Sequence, residues 1–382
     1  MPAQSGHPSI DPSRTPSRGA TSSPPPARIA DICHAALEGR TPTVPELEDL
    51  LSIDSAAAAE PLFAAARELR RRHFGDIVFL YGFVYFSTYC RNRCTFCLYR
   101  KGNDASPRYR KSLPEVVAIC RDLAESGVNL LDLTMGEDPL THDSGDYTPL
   151  YEMIAAVRQE TGLPIMISPG VVPAATLSAM CAAGADFYAC YQETHTRELY
   201  EKLRVGQDYG ERAAARSDAR RAGMLVEDGM LTGIGDTVAD RARAIDEMRT
   251  DGNDQVRIMT FVPQEGTPLA SRGMPSCFDE LLAIAAMRLA MPDRLSPASL
   301  DVEGFAGLRP RLDAGANVVT SIVPPQTGLC GVSNSELDVD EGLRTATAVR
   351  EALGPLGLRQ ASDGELRSWM TAARERRTGR VA

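Results

Sequence analysis

From residue 77 onward the chain repeats one rhythm: a short apolar run of β type, a loop, then a helical pattern. The runs are "DIVFLYGFVYFS", "NLLDLTM", "PIMIS", "DFYACY", "MLVEDGMLTG", "QVRIMTF", "LSPASLD" and "NVVTSIV", starting at residues 76, 129, 164, 186, 224, 255, 295 and 317. No tight hairpin signal joins them, so successive strands are expected to run parallel. Eight such units in about 280 residues suit a closed barrel better than an open doubly wound sheet. No dinucleotide-type glycine fingerprint follows the first strand. The pattern predicts an α/β protein, a TIM-type (β/α)8 barrel over residues 76–355. The run after "DFYACY" is expected as one long helix through residue 222.

Ahead of the barrel, residues 29–75 read as a short helical lead-in. Thr43 and Glu46 form a capping box, Pro45 stands early in its helix, and Gly75 ends an alanine-rich one. Residues 1–28, rich in Pro and Ser, are expected to be a disordered tail, and 356–382 a C-terminal extension.

Composition excludes several functions. A net charge of −10 offers no basic stripe for phosphates, so nucleic acid is not an expected partner. No apolar run approaches the ~20 residues of a membrane span. The N-terminus lacks the apolar centre of a secretory signal, and a cytoplasmic protein is expected. Nine cysteines without an export signal make a disulfide framework unexpected and direct clustered thiols toward metal or redox chemistry.

Three of the nine crowd into "TYCRNRCTFCLYR" as Cys90, Cys94 and Cys97. This loop follows the first strand, at the barrel end where chemistry is found. Structural zinc takes four ligands, commonly as paired knuckles or with histidine. No second knuckle is present, and His73, His142 and His195 are remote in sequence. Thiolates also ligate iron–sulfur cubanes, and three cysteines leave one of four irons without a protein ligand. The other six cysteines show no second grouping and read as small buried hydrophobes.

Barrel strands should be almost wholly apolar, yet three are not. In "NLLDLTM", Asp132 and Thr134 lie on the face opposite Leu131, Leu133 and Met135, so Asp132 is expected to point inward. Arg257 lies inward by the same rule, and Ser299 and Asp301 share a face. Unpaired buried charge costs several kcal/mol. Either an Arg257–Asp salt bridge ties the barrel together, or these residues bind a ligand of matching charge. One arginine with two aspartates complements one carboxylate and two ammonium groups, which describes a diamino acid such as lysine or ornithine. Arg257 would hold the carboxylate through a forked contact, Ser299 would add a hydrogen bond, and Asp132 and Asp301 would take the ammonium groups.

The Cys-x3-Cys-x2-Cys loop, with Phe96 before its last cysteine, resembles that of the radical S-adenosylmethionine enzymes. The resemblance implies a 4Fe–4S cluster on Cys90, Cys94 and Cys97 whose open iron chelates S-adenosylmethionine. A 5′-deoxyadenosyl radical, rather than a protein side chain, then carries the reaction. "LTMGEDP" is similar to the glycine–glutamate motif of those enzymes, which implies that Gly136 and Glu137 help hold the methionine amino group. "YQETHTRELYEKLRVGQDYGER" resembles the biotin synthase branch, which implies that Glu193 and Arg212 bind the methionine moiety. Without the family, those two residues read as an ordinary surface pair. Phe96 and Ser168 complete the implied S-adenosylmethionine contacts.

Denser similarity is to the methylornithine synthase family of the pyrrolysine pathway. It is carried by "FVYFSTYCRNRCTFC", "DLTMGEDP", "LPIMISPG", "LYEKLRVGQ", "VEDGMLTG", "VRIMTFVPQEGTPL", "PASLDVEG" and "DAGANVVTSIVPP". This resemblance implies an isomerase that rearranges L-lysine to (3R)-3-methyl-D-ornithine by hydrogen abstraction, Cα–Cβ cleavage and recombination. It implies a cavity closed by the region after residue 320, and a flavodoxin- or ferredoxin-type electron donor. It places Asp132, Arg257, Ser299 and Asp301 at the substrate, the four positions that the charge argument also reaches. Residues 1–28 and those beyond about 335 depart from the family pattern, as does Leu98 after the last cysteine. These departures leave open a relative acting on another diamino acid in secondary metabolism. A non-catalytic iron–sulfur or zinc protein would leave the inward charges without a use.

Overall fold

In the computed structural model, residues 23–331, 333 and 343–377 are described; most of the expected tail, 1–22, lies outside them. The eight anticipated runs form β1 (Ile77–Ser87), β2 (Leu130–Met135), β3 (Ile165–Ser168), β4 (Phe187–Ala189), β5 (Leu225–Thr232), β6 (Gln255–Thr260), β7 (Pro297–Ser299) and β8 (Val318–Ile322). All neighbours are parallel, in the order β6-β5-β4-β3-β2-β1-β8-β7, and a Gln255–Leu295 bridge brings the two edges together. The sheet is the expected (β/α)8 barrel, nearly closed.

Helix Leu113–Glu125 shows how the outer layer is built. Ser112 and Glu115 form its capping box and Pro114 occupies its first turn. Val116, Ile119, Cys120 and Leu123 recur at three- and four-residue spacing and are buried. The helix packs closely on β1 because position 82 is glycine: a Cβ there would lie 2.9 Å from a methyl of Leu123. The lead-in helices Pro26–Leu37, Val44–Leu51 and Ala56–Phe74 cover helix Phe278–Ala290. The first of them begins at Pro26, inside the stretch expected as tail.

The single long helix expected after β4 is a correction. The chain forms Arg197–Leu203 and Tyr209–Arg221, separated by residues 204–208. Gly206 adopts a left-handed φ of +76° between them, and Asp208 caps the second helix by accepting from the Glu211 N–H.

The C-terminal extension closes the barrel floor. β9 (Arg359–Gln360) pairs with the start of β1. Helix Asp363–Arg377 then packs Leu366, Met370 and Ala373 against Phe79, Tyr81, Met166, Phe187, Leu225 and Val318. Trp369 stacks on Phe187 with centroids 6.4 Å apart, and Arg374 donates to Asp186. Chemistry is therefore left to the opposite end. Among the described residues no helix is long and apolar enough to cross a membrane.

Leu366→Ala is expected to cost about 2–5 kcal/mol, the range for emptying a fully buried leucine site. The measurement is the midpoint of denaturant unfolding; an unchanged midpoint would remove this helix from the core.

Candidate active site

The cysteine loop leaves β1 and is fixed from several sides. The Arg91 N–H donates to Glu137 O at 2.8 Å, and the Thr95 N–H to Leu203 O at 2.8 Å. Arg108 donates to the carbonyls of Thr88, Tyr99 and Arg100. Gly136 is required by the close approach of β2's exit: a Cβ would lie 2.3 Å from Tyr89 O and 2.9 Å from Cys90 Cβ.

Cys90, Cys94 and Cys97 are free thiols. Main-chain N–H groups of Asn92 and Glu137 face the Cys90 sulfur, and that of Tyr99 faces Cys97. The Cys94 sulfur accepts from Gln207 Nε2 at 3.1 Å. Burial pushes the Cys90 thiol up to about 11 and raises Cys97 further. Bound metal reverses this by deprotonating its thiol ligands outright. Three sulfurs from one short loop, each met by hydrogen-bond donors, form a donor set that fits an iron–sulfur cluster. Among the described residues, no three Cys, His, Asp or Glu groups close around a single ion.

Beside the loop runs a chain of ion pairs. Glu137 accepts from the Val171 N–H at 3.1 Å and lies 3.4 Å from Arg212 and 3.2 Å from Arg91. Burial works to raise its carboxyl, but Arg212 and that N–H outweigh it and hold the group below the usual range. Glu193, at a left-handed φ of +68°, accepts from Arg204 Nη2 at 2.6 Å. Burial pushes its carboxyl upward against the pull of Arg204 and Arg212. Arg212 also donates to Cys190 Sγ at 3.1 Å. The reading of Glu193 and Arg212 as a surface pair is overturned: they are 8% and 4% exposed, and each has its own partner. Phe96 lies 5.5 Å beneath the Arg204 guanidinium, and the Ser168 hydroxyl donates to Ala189 O at 3.2 Å. A cleft of about 180 Å³ opens between Arg91, Glu137, Tyr200 and Gln207.

Inside the barrel, the strand alternation places Asp132, Arg257 and Ser299 as anticipated, all buried. Arg257 does form a salt bridge, but not with an aspartate: its Nε lies 2.7 Å from Glu227 Oε1. Its Nη1 donates to Thr320 Oγ1 at 3.3 Å, while its Nη2 has no hydrogen-bond partner among the described residues. The Tyr191 ring lies 5.5 Å from the guanidinium, and its hydroxyl donates to Glu227 Oε2 at 3.0 Å. Asp301 accepts from Arg344 Nη1 at 2.6 Å and from the Ser321 hydroxyl at 2.8 Å, and its N–H donates to Ser299 Oγ at 3.2 Å. Asp132 accepts only from the Thr134 hydroxyl at 3.0 Å among the described residues. Burial, then the charge of Glu227, push its carboxyl up to about 7.

Glu227 and Arg344 were missed by sequence reasoning. Glu227 carries the same signal as Asp132, an acidic residue on the inward parity of a strand. Its neighbour Asp228 takes the outward side, 3.1 Å from His195 and 3.2 Å from Arg216. Arg344 has no such signal, because it reaches Asp301 across 43 residues of sequence. The chain beyond β8 also meets the cysteine loop: Tyr99 donates to Gly331 O at 2.7 Å, and Tyr109 Oη accepts from the Cys330 N–H at 3.0 Å.

An amino acid with two ammonium groups is expected to bind more tightly as pH rises through about 7. Below that value Asp132 is neutral; above it the carboxylate is present, facing Thr134, Glu227, Arg257 and Asp301. Calorimetric titration of lysine across this range is the check, with Asp132→Asn expected to flatten the dependence. A dependence that persists in Asp132→Asn would exclude Asp132 as its source.

Comparison with known proteins follows the same lines. A Radical SAM superfamily domain matches residues 84–248. The 3-methylornithine synthase of Methanosarcina barkeri is 45% identical over 329 residues, covering 86% of this chain and 93% of that one. A crystal structure of methylornithine synthase superposes with a TM-score of 0.84 at 44% identity, covering 88% of this chain and 99% of that chain. The [FeFe] hydrogenase maturase subunit HydE of Thermotoga maritima is 30% identical over 289 residues, 74% of this chain and 81% of that one.

Proposed function

The chain belongs to the methylornithine synthase family of radical S-adenosylmethionine enzymes, and from that premise we propose how its residues serve the isomerisation of L-lysine to 3-methylornithine. Cys90, Cys94 and Cys97 hold a 4Fe–4S cluster, with one iron left for S-adenosylmethionine. Bound there, these two groups would supply the radical chemistry, a reversible hydrogen-atom transfer that starts from lysine and ends on the rearranged product. Glu137, Arg212, Glu193, Gly136, Ser168 and Phe96 line the S-adenosylmethionine side. There the Glu137–Arg212 and Glu193–Arg204 pairs fix each side chain before any ligand arrives.

The observation that carries the substrate reading is the charge count inside the barrel. With Asp132 ionised, Asp132, Glu227 and Asp301 set three negative charges against the two positive charges of Arg257 and Arg344, leaving −1 in a buried space. Lysine, with one carboxylate and two ammonium groups, carries +1 and neutralises it. Nη2 of Arg257, without a hydrogen-bond partner among the described residues, is the donor available to the carboxylate. Asp132, which forms no ion pair among the described residues, takes one ammonium, and Asp301 takes the other beside Arg344. Cleaved fragments must recombine before water or diffusion intervenes. Tyr99 and Tyr109 assist by drawing Leu329 and Cys330, both fully buried, down onto the cysteine loop. A low-potential flavodoxin- or ferredoxin-type protein provides the electron.

The test is anaerobic incubation of cluster-loaded enzyme with labelled lysine, S-adenosylmethionine and a reductant, with 3-methylornithine expected by mass spectrometry. Absence of a lysine-dependent product from loaded enzyme would overturn the assignment; turnover of another diamino acid instead would favour the secondary-metabolism alternative. Arg257→Lys should lower kcat/KM thirty- to several-thousand-fold, about 2–5 kcal/mol for disrupting a buried, hydrogen-bonded charge pair. An ammonium lacks the planar spread of donors that reaches Glu227, Thr320 and the carboxylate at once, and with Nε and Nη1 already engaged the carboxylate meets Nη2 alone rather than the fork expected from the sequence. The cluster's absorbance should be unaltered; near-normal kcat/KM would remove Arg257 from the site.

A further inference from the structure

The break between helices Arg197–Leu203 and Tyr209–Arg221 carries a side chain that has no part in the scheme above. Gln207 Nε2 donates to Cys94 Sγ at 3.1 Å. Its Oε1 accepts from Arg212 Nη2 at 3.1 Å and from Arg204 Nη1 at 3.3 Å. Two guanidinium groups on one oxygen decide which way the amide lies. The reverse orientation would set NH2 against both cations and turn the oxygen toward sulfur. Arg204 Nη1 itself lies 3.6 Å from the same sulfur. The Thr95 N–H and hydroxyl, at 2.8 and 3.4 Å from Leu203 O, tie the cysteine loop to this same turn.

We propose that Gln207, oriented by Arg204 and Arg212, raises the reduction potential of the cluster through its hydrogen bond to the Cys94 sulfur. The inference rests on the cluster reading given above. Reduction takes the cluster from the 2+ to the 1+ state with one electron from a low-potential donor, and no bond to Gln207 forms or breaks. The added electron increases negative charge on the cluster sulfurs. A donor aimed at one of them therefore stabilises the reduced state more than the oxidised one. The two arginines withdraw electron density from Oε1 and so make Nε2–H the stronger donor. Asp208 next to Gln207 caps the following helix, so the same short turn fixes both the donor and Arg212. Gln207 is thus a positioning residue whose effect is electronic.

The test is an EPR-monitored redox titration of anaerobically reconstituted full-length protein, with iron counted in every sample. Two variants are compared with the parent. Gln207→Met and Gln207→Leu are both uncharged and offer the sulfur no N–H, so neither adds the negative charge by which a glutamate would itself lower the midpoint. Both midpoints are expected to fall below the parent's at an unchanged iron content. If one variant does not load, the other carries the test. A midpoint equal to the parent's in either loaded variant overturns the proposal, and so does loss of iron from both variants, which would assign Gln207 to cluster assembly. A parent chain that binds no four-iron cluster would instead refute the cluster reading on which the inference rests.

Discussion

The ion pair between Glu227 on β5 and Arg257 on β6 is the interaction on which the barrel interior depends. The Glu227 side chain is wholly buried and that of Arg257 nearly so, on neighbouring strands whose register sets Glu227 opposite Gln255 and Gly229 opposite Arg257. A pair this dry contributes little net stability, because removing both groups from water offsets most of their attraction. It does decide direction. With Nε on Glu227 and Nη1 on Thr320, two of the three guanidinium nitrogens are held by the protein, and Nη2 has no hydrogen-bond partner among the described residues. Removing either partner would strand a buried charge, so the two residues stand or fall together.

Around that pair the interior is layered. Near the floor, Tyr81, Leu130, Met166, Phe187, Leu225 and Val318 form an apolar plug against helix Asp363–Arg377. Two residues further along, the same inward parity changes character: Leu130 gives way to Asp132, Leu225 to Glu227, Gln255 to Arg257 and Val318 to Thr320. The step is from apolar to charged on β2 and β5, from amide to charged on β6 and from apolar to hydroxyl on β8, so polarity rises along the inward face of several strands. Above it, the exits of β1, β2 and β4 supply the cysteines, Glu137 and Glu193.

Strand parity is the reason that so much of this was legible in the sequence. A charged residue between apolar neighbours in a covered strand has one place to go, and Asp132, Arg257 and Ser299 went there. Glu227 obeyed the same rule but stood beside Asp228, and two adjacent acids blur which one faces inward. The mouth was harder to read. Glu193 and Arg212 look like a solvent pair because nothing in the sequence singles out Arg204, within the same stretch, or Glu137, from another segment, as their partners. The break at residues 204–208 hid inside a helical-looking run, marked only by Gly206. The floor helix gave no sign of its role, since its buried stripe of Leu366, Met370 and Ala373 suits any surface.

Asp132 shows why the interior had to be left incomplete. An arginine partner would have lowered its carboxyl and brought the interior to neutrality. A cationic amino acid would then have had to displace that partner, losing much of what it gained. The structure leaves the deficit at one position instead: among the described residues Thr134 gives Asp132 its single hydrogen bond, and burial holds its carboxyl up to about 7. Asp301 differs, because Arg344 and Ser321 already occupy its two oxygens. The two aspartates that look equivalent in the sequence are thus unequal in the fold. Asp132 is the one whose ionisation a bound ammonium would complete, and Asp301 the one held in place beforehand.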